Sequence, residues 1–543
     1  MDRSSLLRLL VIFAFALGGF MLFGEKGGGG EQAQPKLILH IAAAPAEQRT
    51  QDPKVCTVTG PRFTAELSSQ GASLRHLRMT DEKYREDAEN AESPPIDLIT
   101  TDKEWASPLR TQLHIKSDAA QFPYDLFDWE ITADEETKCV FRYETDEVLA
   151  VKTIAATDRP FELQLDLTIT NKAKAPKVHA LAVLQSDWRS KEEIEGSFGR
   201  QSPEMTFVEF SSGETVERLT PDDFSPDEYE DPDNNFTADG WHRGPGSANW
   251  VAVSNSFFSK AMFPLEGPSA PYGETVVEDQ QPRGNASNVY LARLSYPQHE
   301  LKPGESVSYS VLAFGGPKER EVLSGFGGAE RDLGADEILD LGIFGAIGKL
   351  LVWYLYKLYD FVGTWGWAIC LLTITIKLLL FPLSITQIKS AMAMRRLKPE
   401  IDELNKKHKD DATQRALAMQ ELMKKHNVTN PMLGCLPLLL QMPVWYALYA
   451  ALNSAVELYH VSFGPFIPDL SAPSKFYIIP ILLGASSFLQ QHLMPMQGDP
   501  MQQKMLKYFM PAMFLVFMLF LPAGLGIYFL TNTWLGIGQQ LAV

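Results

Sequence analysis

One lysine stands inside an otherwise uncharged stretch of chain. Between Asp360 and Lys389 the only charged residue is Lys377. It follows Val362 by roughly 14 residues, or about 21 Å of helix at 1.5 Å per residue. A lysine at that depth in a bilayer costs a few kcal/mol, so such a group normally faces a wet cavity or a partner. Thr373, four residues earlier, and Ser384, seven later, fall on the same helix face. The competing reading is snorkelling, in which the long side chain stretches to the headgroups. No Asp or Glu lies inside any apolar stretch to pair with Lys377, which excludes a simple intramembrane ion pair. It also argues against a proton-coupled transporter, which needs a carboxylate or histidine relay. A lone cation without a fixed counter-ion suits a transient polar or acidic guest. Neutral polar residues stand in other apolar stretches: Gln441, then Ser486, Ser487 and Gln490, then Thr531, Asn532 and Thr533. Interhelical hydrogen bonding accounts for most such groups; their spread also permits a hydrated cavity.

The elements that would hold these residues are long charge-free runs. The first covers about Val362 to Leu383. Another lies between Lys425 and Glu457, with 31 residues free of Asp, Glu, Lys and Arg, and a third between Lys475 and Asp499, with 23. The last 36 residues carry no charge. That exceeds one span of about 20 residues, and Leu521-Pro522-Ala523-Gly524 divides it by a tight turn. The uncharged part of the fifth span, Tyr508 to Leu521, rises only about 21 Å, which fits either snorkelling by Lys504 and Lys507 or a locally thinned bilayer. Near the N-terminus, Leu9 to Phe23 is uncharged and follows Arg3 and Arg8. It reads as an uncleaved signal anchor in preference to a cleaved signal peptide. The total is six spans.

Basic residues set the orientation. Lys389 to Lys425 hold ten Lys/Arg, Lys504 and Lys507 follow the fourth span, and Arg3 and Arg8 precede the first. Six spans place all three groups, and both termini, on the cytoplasmic side. The loop from Glu457 to Lys475 then lies outside. Leu397, Ile401 and Leu404 form a stripe that Ala416, Met419 and Met423 can face across Asp410-Asp411, as in a helical hairpin. Arg395, Arg396, Lys406 and Lys407 on it are candidate contacts for ribosomal RNA, acidic lipid or nascent chain, although a solvated basic loop fits the same pattern. The stretch Ile343 to Tyr359, rich in aromatics and carrying Lys349 and Lys357, suits a helix lying in the headgroup plane.

The front of the chain is different. Met1 to Leu341 hold 33 Lys/Arg against 57 Asp/Glu, whereas Gly342 to Val543 hold 16 against 10. Period-two alternation marks half-buried strands: Phe63, Ala65 and Leu67 before Gln70-Gly71; Phe161, Leu163, Leu165, Leu167 and Ile169; Val307, Tyr309, Val311 and Ala313 after Pro303-Gly304. Many such strands argue for a β-sandwich. The acidic run Pro221 to Asn235 lacks the Gly and terminal Glu of a calcium loop and reads as a surface loop. Cys56 and Cys139 would be able to pair in an exported domain or to remain two small buried residues. Cys370 and Cys435 read as packing residues. No Walker A, H-E-x-x-H or G-x-S-x-G pattern occurs in the membrane part. No enzyme activity, cofactor or metal is expected.

Several motifs resemble one family. Phe361 to Trp367 (FVGTWGW) and Lys377 to Leu383 (KLLLFPL) are similar to the second span of YidC-type membrane protein insertases. Asn430-Pro431 with Gly434 to Pro443 (GCLPLLLQMP), Asp499 to Lys504 (DPMQQK) and Leu521 to Leu525 (LPAGL) resemble the later segments. The match runs in order over about residues 340–541, and Phe63 to Leu77 resembles the start of that family's exported domain. The resemblance implies a polytopic α-helical bundle of six spans in the bacterial inner membrane, a periplasmic all-β super-sandwich and a cytoplasmic helical hairpin. It implies an insertase and chaperone whose hydrophilic groove, open to cytoplasm and lipid, receives client transmembrane segments, alone or with the Sec translocon. Lys377 occupies the position of the groove's positive residue, where many members have arginine; Thr373, Ser384, Gln441, Thr531 and Asn532 are the candidate groove partners. Expected partners are newly made inner-membrane proteins, the Sec translocon, membrane lipids and the ribosome. Many members end in a basic tail that serves ribosome contact; the sequence here stops at Gln540-Leu-Ala-Val543, so that contact is expected either to be missing or to use the hairpin. The expected organisation is an anchor over 1–24, a Gly-rich linker over 25–34, the β domain over 35–335, an interfacial helix over 336–361 and a five-span core over 362–541 with the hairpin over 388–427. The alternatives are a small-solute transporter or channel, which would show inverted repeats, and an anchored sugar-binding or sugar-converting protein with a His/carboxylate pocket in the β domain.

Overall fold

The computed structural model describes residues 52–542 except 88–89, 91, 102–105, 114–128, 191–204, 214, 226–227, 229–234, 238–239, 281–286, 329–330, 340–344, 383–384, 386–395, 398, 402, 405–406, 408–411, 427–445, 475 and 494–504. The chain divides into two compact units. The anchor and linker expected over 1–34 lie outside the described residues.

The first unit is built of strands. A three-stranded antiparallel sheet comprises β1 (Val55–Gly60), β2 (Phe63–Ser68) and β3 (Ser73–Met79). The other strands are β4 (Thr111–Leu113), β5 (Glu130–Glu135), β6 (Lys138–Glu144), β7 (Val148–Ala156), β8 (Glu162–Asn171), β9 (Lys177–Ser190), β10 (Phe207–Ser212), β11 (Thr215–Leu219), β12 (His242–Ser254), β13 (Phe258–Glu266), β14 (Tyr272–Gln280), β15 (Ser287–Leu301) and β16 (Ser306–Pro317). They form one 13-stranded sheet in the order β4-β9-β15-β14-β12-β13-β16-β8-β7-β6-β5, with β10 on β12 and β11 on β10. β12 makes the corner. Its start pairs with β14 and its end with β13 and β10, and its register with β14 shifts between Arg243 and Ser247. A shift of that kind bends a strand and lets one sheet supply two layers. Burial agrees: β8 alternates, with Leu163, Leu165, Leu167 and Ile169 inside, whereas β9, β12 and β15 carry unbroken buried runs, as strands covered on both faces do.

Several buried charges of this unit are paired. Lys260 of β13 lies 2.9 Å from Asp187 of β9, and Arg189 Nε is 3.1 Å from the other carboxylate oxygen. Burial alone would raise the Asp187 carboxyl, but the two cations outweigh it and hold it at about 2. Glu274 of β14, fully buried, is gripped by Arg293 at 2.6 Å and by Arg243 at 2.5 Å. Cys56 of β1 and Cys139 of β6 form a disulfide, which joins the small sheet to the large one. In the acidic run, Pro221–Phe224 form a 3-10 turn in which the Asp223 carboxylate accepts from the Thr220 amide (2.7 Å) and hydroxyl (2.9 Å).

The second unit contains α1 (Arg320–Gly325), α2 (Gly345–Val362), α3 (Trp365–Leu379), α4 (Ala412–Lys425), α5 (Ile478–Leu493), α6 (Met510–Met518) and α7 (Ala523–Ala542). Two excursions of the front chain, Asp81–Ile96 and Pro317–Gly325, cluster with it. Its core joins Leu355 of α2, Ile369 and Leu372 of α3, Leu448, Leu452, Ile479 and Leu483, and Met518, Leu525 and Tyr528. Among the described residues no helix is both long and apolar enough to cross a membrane. The 15 residues of α3 rise about 22 Å against a hydrocarbon core of about 30 Å. α7 has 20 residues but includes Thr531, Asn532, Thr533, Gln539 and Gln540.

Candidate functional site

The segment that carries Lys377 is positioned by aromatic packing at its start. Gly363, at φ 70°, adopts the left-handed backbone that ends α2 and lets the chain turn into α3. Trp365 then stacks on Tyr359 with centroids 4.1 Å apart and meets Tyr356 edge-on at 5.2 Å. Gly366 lies so close to Phe463 that a Cβ would sit 2.2 Å from that ring. Trp365, Ala368, Ile369 and Leu372 are buried at i, i+3, i+4 and i+7, the core face of an amphipathic helix.

Beside that face runs a polar stripe. Cys370, Thr373 and Lys377 follow at i, i+3 and i+7. Thr373 is buried, and its hydroxyl donates to the Ile369 carbonyl at 2.7 Å, so its proton is used within the helix. Thr531 of α7 approaches the stripe, its hydroxyl 3.5 Å from the Cys370 thiol. Cys370, read from the sequence as packing, does pack against the helical core, and it also stands on this stripe. Lys377 is half-buried in the last turn of α3, where a cation favours the helix C-terminus, and Leu378 and Leu379 beside it are exposed. Among the described residues no carboxylate and no hydrogen-bond acceptor reaches its ammonium.

The other expected site residues divide into three groups. Asn532 is half-buried on α7. Arg396 and Lys407 are exposed. Ser384, Gln441, Arg395 and Lys406 lie outside the described residues, and α3 itself ends at Leu379. α5 and α7 approach closely where the Gln490 amide packs over Gly536, leaving no room for a Cβ. Around this unit many large apolar side chains are exposed, among them Trp353, Phe361, Trp367, Leu379, Ile481 and Trp534. Among the described residues the one cluster tight enough for a metal is Cys56, Asp134 and Cys139, and its two sulfurs are bonded to each other.

Comparison with known proteins covers both units. The family model described as "60Kd inner membrane protein" matches residues 357–543, and that described as "YidC periplasmic domain" matches residues 55–354. A membrane protein insertase YidC from Anaeromyxobacter dehalogenans strain 2CP-1 is 33% identical over 497 residues, 89% of this chain and 84% of the relative. The insertase YidC of Syntrophus aciditrophicus strain SB is 29% identical over 95% of this chain and 89% of its own. Among solved structures, an active YidC insertase with its first transmembrane domain resolved overlaps 99% of both chains at 17% identity and a TM-score of 0.37. A galactose mutarotase-like protein from Lactobacillus casei overlaps 48% of this chain at 12% identity and a TM-score of 0.30. Overlaps of that size carry no weight here.

The two family matches, one over the helical unit and one over the β unit, define an inner-membrane protein with a periplasmic domain. The chain belongs to the YidC family of membrane protein insertases.

Proposed function

We propose that the protein receives the polar flank of a client's transmembrane segment at Lys377 and releases the apolar part sideways into lipid. The observation that carries this reading is the half-buried ammonium of α3, which no carboxylate among the described residues neutralises. A buried cation without a counter-ion is costly, and a passing acidic or polar chain would lower that cost for as long as it stays. Ser384, Gln441, Thr531 and Asn532 would line the groove, open to cytoplasm and lipid; Thr373, buried with its hydroxyl hydrogen-bonded to the Ile369 carbonyl, would not. The driving force is partition of the client's own apolar segment, worth several kcal/mol for about 20 residues. No covalent chemistry is required, and the protein acts as an insertase and chaperone without enzymatic turnover.

The membrane arrangement proposed is six spans with both termini cytoplasmic. It is supported by the charge-free stretches, by the apolar exterior of the helical unit and by the placement of basic residues. α2 would lie in the headgroup plane, with Lys349 and Lys357 and the exposed Leu350 and Trp353 at that level. A cytoplasmic hairpin is supported by α4 and by the 3.3 Å approach of His426 at its end to Glu400. Its basic residues, including Arg395, Arg396, Lys406 and Lys407, would meet ribosome or anionic lipid, and the Sec translocon would share larger clients.

The test is insertion of a single-span client with an acidic exported tail by Lys377 variants in vesicles. Lys377→Glu should lower the yield at least about tenfold, the equivalent of about 1.4 kcal/mol, while Lys377→Arg should retain it. Normal insertion by Lys377→Glu would exclude the groove mechanism.

A further inference from the structure

One half-buried carboxyl in the helical unit, that of Glu457, has no place in the mechanism above. Glu457 sits in the 3-10 turn Val456–Leu458, between two buried apolar side chains. Its carboxyl accepts from the Tyr356 hydroxyl of α2 and from the backbone N–H of Arg320, the first residue of α1, at 3.3 Å. Lys83 reaches the same turn and donates to the carbonyls of Val456 at 2.9 Å and Glu457 at 3.2 Å. Next to it the fully buried Tyr84 donates to Glu319 at 2.5 Å. Tyr459 lies 6.3 Å from the Tyr84 ring and stacks on His460. Four stretches of chain, separated by up to 374 residues, thus meet around one turn. From this knot α2 runs through Gly363 directly into α3 and Lys377.

We propose that Glu457 is a positioning residue for insertion: through Tyr356 it ties α2 to the loop before α5, and so sets where α3 presents Lys377. The proposal rests on the Lys377 reading. Burial raises the Glu457 carboxyl above the usual range, while the hydrogen bonds from the Tyr356 hydroxyl and the Arg320 backbone, and then Lys83, oppose that shift. Burial and the neighbouring Glu457 push the Tyr356 hydroxyl up, with Arg320 opposing and Glu321 adding. A carboxyl whose folded value is raised contributes most when protonated. Its contribution is complete below the ordinary carboxylate range and is lost as pH rises through the raised value. The tie is therefore firm at low external pH and loosens as pH rises. A glutamine, neutral and of the same shape, would hold it closed throughout.

The experiment places an environment-sensitive fluorophore on Leu350→Cys, an exposed position of α2. It uses full-length protein in vesicles with Cys370 and Cys435 replaced by serine. Probe mobility and client insertion are read on the same samples from about pH 5 to about pH 8. Mobility should rise with pH in the wild type, stay low and flat in Glu457→Gln, and stay high and flat in Glu457→Ala. Insertion should fall severalfold in Glu457→Ala and be restored in Glu457→Gln. Matching pH profiles in wild type and Glu457→Gln, or unchanged mobility and insertion in Glu457→Ala, would overturn the proposal. Lys377→Glu separates the two readings. If it inserts normally the groove fails, while its α2 profile still judges the Glu457 tie.

Discussion

The β unit and the helical unit handle the same materials in opposite ways. Among the described large apolar side chains left exposed, only Val55 belongs to the β unit; the rest stud the helical unit. Conversely, the β unit buries carboxylates against cations, as at Asp187 with Lys260 and Arg189, and Glu274 with Arg293 and Arg243. Its buried Lys152 donates to the Leu109 carbonyl at 2.6 Å, and burial together with Arg110 pulls that amine far below its usual range. The helical unit instead holds the Lys377 ammonium half-buried without such a partner among the described residues. A domain in water closes its polar accounts internally because water competes for every open group. A unit whose surroundings are hydrocarbon keeps its apolar groups outside and can leave one cation open for a guest.

The contrast is sharpest under equivalent deletions. Asp187→Ala strands two buried cations, and the β unit should lose about 3–5 kcal/mol; thermal unfolding in detergent, followed by near-UV circular dichroism, measures this. Replacing Cys56 and Cys139 by serine should cost about 2–4 kcal/mol, because the bridge closes a long loop in the unfolded chain; denaturant unfolding of the β unit with and without reductant checks it. Acid should act next. The Asp187 carboxyl is depressed when folded, so its contribution is present above pH of about 4 and is lost as pH falls toward about 2, of order 2 kcal/mol in total. An acid titration of wild type against Asp187→Asn would show it. The smallest effect on stability should come from Lys377→Met, below about 1 kcal/mol and of either sign, although client insertion falls. A large destabilisation by Lys377→Met would mean that the ammonium has a structural partner, and the comparison would fail.

Much of the β unit was legible residue by residue. Phe63, Ala65 and Leu67 alternate in β2 and Leu163 to Ile169 in β8, with turns at Gly71 and Gly304 where φ is positive. Strand period is a local property, so a local pattern reveals it. The corner at β12 was not legible, because bending there depends on register with β14, a strand some 30 residues away. Of the candidate site, Lys377 and Thr373 stood out by charge and spacing. Cys370 did not, because its polar neighbour Thr531 lies 161 residues away. Glu457 entered the sequence reading only as the border of a loop.

The sequence by itself determined the acidic β-rich front, the apolar back and the one charge, Lys377, between Asp360 and Lys389, since composition, charge and period act over a few residues. Tertiary structure alone decided which distant groups meet: Cys56 with Cys139 over 83 residues, Lys260 with Asp187 over 73, and Tyr356 with Glu457 over 101. Those meetings depend on how strands and helices stack, and the pairing energy of a buried group exists only once both partners have left solvent.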